Sequence, residues 1–589
     1  MVEFAYRSEK RDRRLLLAAA FLAGSSIAWS VCVLAQEALP ASPAPIPASE
    51  MNGFDAISEA RLHEHLNYIA SDKLAGRLSL RPGDDSAIEW VASEFDKAGL
   101  TPAVTDPDGK ESFLQAVPLI EYKPDRAALK LILTRGAEVM AFKAPDVFGG
   151  YKDDVDLTAP VVFAGYGITA PELGYDDYWG IDAKGKIVLI FDHEPQEDDP
   201  RSIFNGTGNT RYATARVKLL TAQAHGAIAV LMVAEPNRKH ITNAERSAKI
   251  SVGGVTRTTP LPMQALNDNE LHIPGLTLVD AVAAKLLATA GATPSALQAG
   301  IDKDLKPQSR ALPDTTVTLH MKNESRLLGT SWNVAGVLEG SDPALAAETI
   351  LISAHHDHDG ESPKAGTEPD LYGRQPMDIW HGADDNGSGT VGVVELAHAF
   401  AANKQKPKRS ILFVVFASEE RGLLGSYWMA EHPLRPLATT RAMINFDMIG
   451  RNETASPQTD GLITIPADTT NRLNLIGALY SPDYDKVVKE ENQHVGLVLD
   501  DRFDHESALN VFFRSDQFPF VLKDIPAFWW FTGFHPDYHH VTDTADKINY
   551  IKMAKILRLA YLTAWHFGDT DVEPSFVANP GAAASSGLK

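Results

Sequence analysis

The chain has 589 residues, 44% hydrophobic and 22% charged, which is enough apolar content for more than one packed domain and excludes a disordered or fibrous chain. Lys and Arg number 55 against 77 Asp and Glu; the net charge of -22 repels nucleic acid and anionic lipid, so a general nucleic-acid binder is excluded. The one cysteine, Cys32, rules out a disulfide scaffold, a zinc site of several thiolates and a paired-cysteine redox centre, so any metal must be held mainly by His and carboxylates.

The N-terminus carries Arg7, Lys10, Arg11, Arg13 and Arg14, then an uncharged run from Leu15 to Ala35 with small residues at Val33 and Ala35. This reads as a secretory signal peptide over 1–35 cleaved near Ala35, and hence a secreted or periplasmic protein without a stable membrane span. An uncleaved anchor is the alternative, since about 20 apolar residues also cross a bilayer. Trp29-Ser30-Val31 before Cys32 is a poor lipobox. Residues 36–55, Pro- and Ala-rich at first, read as a linker.

Residues 56–124 form a first part of the main domain. Leu62, Leu66 and Ile69, then Ile88, Val91 and Phe95, recur at helical spacing on either side of the polar loop Ser71–Arg77. Residues 125–310 read as a separate, mostly β inserted domain, with strands at 160–167, 186–191 and 227–232, a helix at 213–224, and no standout cluster of catalytic residue types. Residues 311–571 alternate near-continuously apolar strands (349–353, 410–416, 442–446, 527–531) with helices (389–402, 421–432). That pattern predicts an α/β fold with a mostly parallel sheet flanked by helices. Residues 572–589 read as a flexible tail.

Five polar clusters stand at the ends of these strands or open a helix beside them: Ser353–Asp359, Gly382–Gly389, Ser418–Gly422, Asn445–Gly450 and His535–His540. In open α/β sheets the carboxyl ends of the strands form the ligand crevice, so the clusters can converge there. Imidazole and carboxylate suit zinc, and two ions can share a bridging carboxylate. Adjacent Glu419 and Glu420 point different ways, so one can bind metal while the other moves a proton. Singly, each cluster has an ordinary structural reading: Asp384-Asp385 as a helix cap, Glu419-Glu420 as a solvated helix start, Asp447 as a structural residue. In an extended run His355 faces one way and His356 and His358 the other, so not all can be ligands. The joint occurrence of the five clusters argues for a site.

At these residues the sequence resembles the secreted di-zinc aminopeptidases of the bacterial leucyl aminopeptidase type, which share the zinc exopeptidase fold of glutamate carboxypeptidase. The resemblance rests on His355-His356-Asp357, Gly382 through Gly389, Glu419-Glu420-Arg421-Gly422, Asn445 through Gly450, and Asp537-Tyr538-His539 with Asp543-Thr544, and extends to Ala70-Ser71-Asp72 and Ala75-Gly76-Arg77. It implies two Zn2+ ions, with Asp384 bridging them, His355 and Asp447 completing one site, and Glu420 and His539 the other. It implies Glu419 as general base, Asp357 orienting the imidazole of His355, Asp385 supporting the ligands, and a cis Asp384–Asp385 peptide. Residues Val162–Gly167 and Lys184–Leu189 resemble a protease-associated domain, while 192–260 is longer and less regular, consistent with a lid or extra subdomain. Gln517 stands where related enzymes often carry His, so no residue is assigned to substrate binding.

The expected function is a zinc-dependent exopeptidase acting on peptides, foremost an aminopeptidase. A carboxypeptidase, a glutaminyl cyclase-like enzyme and a non-catalytic receptor-like module on the same fold are the alternatives, and the oligomeric state is left open. No H-E-x-x-H occurs, because Leu509 takes the place of the second His after His505-Glu506, and no G-x-S-x-G elbow occurs.

Overall fold

Runs such as Ile350-Leu351-Ile352 and Ile411 to Phe416 have no polar face to offer solvent, so they can only be strands buried on both sides. In the computed structural model, which describes residues 43–580 apart from 107, 458, 507 and 508 and omits the side chains of 207 and 243, they form the centre of a ten-stranded sheet. The expected export signal with Cys32, residues 36–42 of the linker and 581–589 of the tail lie outside the described residues. Among the described residues no helix is long and apolar enough to cross a membrane.

Four parallel strands lie side by side in the order Ser410–Phe416, Thr349–His355, Thr440–Phe446 and Ala527–Phe531. The parallel order stops there. Asn323–Leu338, Leu114–Pro124 and Met263–Leu266 add antiparallel on one side. On the other, Arg472–Ile476 adds antiparallel and Val498–Asp500 then pairs parallel to it. Alternate side chains sort to the two faces. Ile350, Ile352, Phe413, Ile444 and Trp530 pack in one cluster with the helices Glu59–Ile69, Pro82–Lys97, Gly389–Ala402 and Tyr550–Asp569. Leu351, Leu412, Val414, Met443 and Trp529 pack in the other, against Leu424–Glu431 and Phe518–Val521.

A second, eight-stranded sheet has its own cores and a parallel centre of Val155–Phe163, Ile187–Phe191, Ala229–Val233 and Gly275–Leu278. It is less purely β than expected, since the helices Ala215–Ala224, Asp280–Leu286 and Pro294–Asp304 belong to this stretch. Two boundary details differ from the expected 125–310. Strand Arg310–Met321 pairs within the second sheet, whereas Met263–Leu266 returns to pair with Leu114–Pro124 in the first.

The loop Ser71–Arg77 lies between the helices Glu59–Ile69 and Pro82–Lys97. Ala75, Gly76 and Arg77 take φ of 45°, 70° and 51°, all left-handed. Gly76 is required there, because a Cβ would lie 2.4 Å from both Gly360 O and Trp380 O. Arg77 is held in this strained form by its side chain. Nε donates to His356 O (2.8 Å), Nη1 to Ile69 O and His381 O (2.7 Å each), and Nη2 to Gly382 O (2.9 Å). The guanidinium is 1% exposed. Desolvation pulls its pKa down to about 10 against the pull of Asp357, Asp84, Asp385 and Asp543, so it stays charged at neutral pH. A lysine cannot make this fork. We expect Arg77→Lys to lower the unfolding free energy by about 2–4 kcal/mol and Arg77→Met by about 3–5 kcal/mol, because buried carbonyls lose a charged donor. Urea unfolding of both variants checks this; loss of under about 0.5 kcal/mol, the range of neutral surface changes, would mean other donors serve those carbonyls.

Candidate metal centre and active site

All four central strands deliver a polar residue at their carboxyl ends, the position where open sheets bind ligands. Thr349–His355 ends in His355, Ser410–Phe416 leads to Glu419-Glu420, Thr440–Phe446 to Asp447, and Ala527–Phe531 to His535 and His539. The loop before helix Gly389–Ala402 brings Asp385 among them, at the positive end of that helix. Side chains from the loop and from strand Thr440–Phe446 tie the two together. Asn386 Nδ2 donates to Phe446 O (2.8 Å) and Ser388 Oγ accepts from Ile449 N (2.9 Å). Ser418, Leu423, Met448 and His539 all have positive φ, so the backbone around the site is unusually constrained.

Two groups of ligand atoms meet at Asp385. On one side His355 Nε2 stands 3.6 Å from Asp385 Oδ1, 3.7 Å from Asp447 Oδ1 and 3.7 Å from Glu419 Oε2. His355 Nδ1 donates to Asp357 O (3.2 Å), which turns the lone pair of Nε2 into the site, where it is fully buried with no hydrogen-bond partner. On the other side Asp385 Oδ2 stands 3.1 Å from His539 Nε2, which is 3.4 Å from Glu420 Oε2. Two ligands on one tetrahedral zinc at bond lengths of 2.0–2.2 Å stand about 3.3–3.6 Å apart. The 3.1–3.7 Å spacings and the orphaned imidazole nitrogen therefore fit a pair of divalent ions sharing Asp385.

The structure brings together His355, Asp385, Glu419, Glu420, Asp447 and His539; among the described residues Asp385 belongs to two groups of potential ligand atoms and Asp384 to none. The expected bridging position is thus corrected by one residue. Asp543 Oδ2 accepts both backbone N–H groups, of Asp384 (2.9 Å) and Asp385 (3.1 Å), and the two side chains diverge from that anchor. Asp384 Oδ1 turns back to accept from Gly450 N (2.7 Å), and Oδ2 lies 3.2 Å from His535 Nε2. The cis peptide is likewise Asp385–Asn386, not Asp384–Asp385. Asp357 lies beside His355, with Oδ1 3.6 Å from His355 Nδ1. Its carbonyl orients His355, while its carboxylate accepts from Glu419 N (2.9 Å) and Glu420 N (3.3 Å) and so fixes the turn that carries both glutamates. That turn, with Gly422 and Leu423 left-handed, delays the next helix to Leu424 rather than the expected 421.

Charge at the site is strongly perturbed. Burial pushes the Glu419 carboxyl well above the carboxylate range, suited to a group that takes and returns a proton. Glu420 goes the other way, to about 2: burial alone would raise it, but His539 and His358 outweigh that. Asp385 is pushed up to about 6 by burial and by Glu420. Asp447 is set by a hydrogen-bond chain, Ser353 Oγ to Asn445 Oδ1 (2.7 Å), Asn445 Nδ2 to Ser515 Oγ (2.9 Å), and Ser515 Oγ to Asp447 Oδ2 (2.6 Å).

The neighbouring histidines do not all follow the expected alternation: His358 comes to the side of the site, grouped with Asp385 and Glu420. His356 points away, donating to Asp84 Oδ1 (2.7 Å) and Trp332 O (3.0 Å). His358 Nδ1 pairs with Glu420 Oε1 (2.7 Å), and His540 Nε2 donates to Ile250 O (2.9 Å). Gln517 is buried and donates to Phe512 O (2.6 Å), a structural contact. Asp359, 3.3 Å from His539 Nδ1, and the roles of Arg77 and Asp543 escape sequence reading, although all three stand inside or beside the quoted motifs.

Residues 333–564 match the family model described as Peptidase family M28, and residues 157–261 match the PA domain. Leucine aminopeptidase 2 of Arthroderma otae is 26% identical over 304 residues, 45% of this chain and 53% of the relative. A probable zinc metalloprotease of Pyrenophora teres f. teres is 34% identical over 161 residues, 25% of this chain and 31% of the relative. The chain thus spans about half the length, or less, of these curated relatives. Among solved structures, an aminopeptidase from Aneurinibacillus sp. strain AM-1 is 18% identical with a TM-score of 0.48, covering 89% of this chain and 97% of that one.

The register of the aspartate pair is open to direct measurement. Metal content after zinc loading and desalting should fall in Asp385→Asn, with affinity weakened at least about 100-fold, while Asp384→Asn, which keeps an oxygen for Gly450 N, should lose no more than about tenfold. The reverse pattern would return the bridging position to Asp384.

Proposed function

We propose that this chain, whose residues 333–564 match the Peptidase family M28 model and whose residues 157–261 match the PA domain, is a zinc-dependent exopeptidase that removes residues from the N-terminus of peptides. The observation that carries this reading is Asp385, with one carboxylate oxygen toward His355 Nε2 and the other toward His539 Nε2. His355, Asp385 and Asp447 would hold one zinc, and Asp385, Glu420 and His539 the other. Bound there, two zinc ions supply Lewis acidity toward the scissile carbonyl and a lowered pKa for water.

The chain's own residues do the rest. Glu419, held over the first group by Asp357, takes the proton of the attacking water and passes it to the leaving amine. The same carboxyl, carrying that proton, then serves as acid. Asp359, Asp385 and Glu420 line the His539 side with negative charge, which favours a substrate's free α-ammonium group there. A second reading, carboxypeptidase, rests on Arg514: its Nη2 lies 3.3 Å from Tyr538 Oη, its Nη1 has no partner, and it precedes Ser515, which bonds Asp447. That guanidinium could take a free α-carboxylate instead. The basic stretch and uncharged run over 1–35 support export, and the register of the second sheet supports an inserted module from 125 to about 322.

Amino-acid anilides and their N-acetylated counterparts, with and without chelator, test the reading. Free-amine substrates should be cleaved, chelation should abolish turnover and zinc should restore it. Glu419→Ala should lower kcat by about 10²–10⁴-fold with both ions still bound. Chelator-insensitive turnover would refute the metal reading, and preference for blocked substrates would refute the aminopeptidase assignment alone.

A further inference from the structure

The second sheet repeats the construction of the first. Its strands Ile187–Phe191 and Ala229–Val233 run parallel and in register, both fully buried. Just past their carboxyl ends they deliver His193 and Glu197 from one loop, and Glu235 and His240 from the next. No cluster was expected in this region, because the four residues form two short, unremarkable pairs about forty positions apart.

In the fold the four meet. His193 Nδ1 lies 2.6 Å from Glu197 Oε1 and 4.0 Å from Glu235 Oε1. His240 Nε2 lies 3.0 Å from Glu197 Oε2 and 3.0 Å from Glu235 Oε1. One ligand atom from each residue falls within 4.8 Å of all the others. His193 and Glu235 are 5% and 2% exposed, and Glu235 Oε2 is buried with no hydrogen-bond partner. His240 Nδ1 donates to Ile241 O (2.9 Å), which leaves Nε2 as the coordinating nitrogen, the arrangement usual behind metal-bound histidines.

Two buried carboxylates need two positive charges. Without an ion these would be two imidazolium rings, yet His193 and His240 are stacked, with centroids 4.1 Å apart and planes at 15°, which sets like charges face to face. A single divalent cation neutralises both carboxylates with the rings neutral, the ligand atoms parting from their present hydrogen-bond spacings of 2.6–3.0 Å to the roughly 3.3–3.6 Å of one tetrahedral ion. A cleft of about 540 Å³ opens onto the cluster beside Tyr166, Asp198, Arg201 and Arg238 and gives an ion its way in.

We propose that His193, Glu197, Glu235 and His240 form a third cation site, in the PA region, for a zinc-like first-row divalent ion. Two imidazoles and two carboxylates are a closed four-ligand set, which suits a structural ion rather than a reactive one. The site fastens the root of the segment that follows it. Thr242 and Glu245 cap helix Asn243–Ile250, whose Ile250 carbonyl accepts from His540 beside the catalytic His539. Farther on, the Arg257 guanidinium lies 4.0 Å over the ring of Trp380, which donates to His539 O (3.1 Å). The ion would thus steady a strap leading to the rim of the catalytic centre.

The test is a metal count on the full-length protein, loaded with zinc and desalted. Wild type should hold three ions per chain, His240→Gln two with anilide hydrolysis retained, and His355→Ala/His539→Ala one with hydrolysis lost. A wild-type count of two refutes the third site whatever the variants do, as does a His240→Gln protein that still holds three. Should His240→Gln fail to fold, Glu235→Gln replaces it under the same criterion. Loss of ions only from the His355/His539 variant would refute this site and leave the catalytic reading intact. The converse, a single ion retained in wild type and lost in His240→Gln, would refute the catalytic metal pair and leave this site standing.

Discussion

The guanidinium of Arg77 lies where three pieces of chain, distant in sequence, form the floor of the catalytic centre. It binds the end of helix Glu59–Ile69 at Ile69, the strand end at His356 and the Asp-bearing loop at His381 and Gly382. The backbone adds two bonds of the same sense, His358 N to Arg77 O (3.0 Å) and Gly360 N to Gly76 O (2.8 Å). The loop that leads to Asp385 and the strand that ends in His355 are thereby fixed relative to one another by one side chain. Burying that charge is costly, and Asp357, Asp84, Asp385 and Asp543 around it offset the cost. The same aspartates act in turn: Asp357 holds the Glu419 turn, Asp543 the Asp384-Asp385 backbone, and Asp84 His356. Acidic residues dense enough to build a metal centre therefore also balance the cation that aligns it.

Glu419 and Glu420 show how one backbone turn separates two functions. Both N–H groups are spent on Asp357, yet their carboxylates diverge, one toward His355 and Asp447 and the other onto His358 and His539. Burial raises the first and the imidazoles lower the second. Neighbours in sequence are thus shifted in opposite directions, as the two proposed roles require, without any difference in residue type.

Much of this was legible in the sequence. Helix 389–402 and strands 410–416 and 527–531 coincide with the observed elements, because apolar runs bounded by Gly and charged residues leave little choice. The site residues were legible as clusters, since strand ends in such a sheet must converge. What the sequence hid was whatever depended on a single residue of register or on two loops meeting. Asp384 and Asp385 are chemically identical, and only the Asp543 anchor and the Gly450 N–H decide which of them faces the ligands. The antiparallel flanks of the sheet were hidden for a related reason, as long strands such as Asn323–Leu338 carry exposed polar residues in one half and buried apolar ones in the other.

Both sheets use one solution to one problem. A parallel strand buried on both faces cannot carry a polar side chain until it leaves the sheet, so its first polar residues collect at the carboxyl end, beside those of its neighbours. Four strands ending together yield Glu419, Asp447, His355 and His539, and two yield His193 with Glu235. The difference lies in what surrounds the cluster. In the first sheet, His355 Nε2 and Asp385 are left facing a shared space that neither fills. In the second, both histidines stack and both glutamates close around them. The segment from His240 to Arg257 connects the two clusters, with His240 Nδ1 on Ile241 O at one end and Ile250 O and the Trp380 ring contacted at the other.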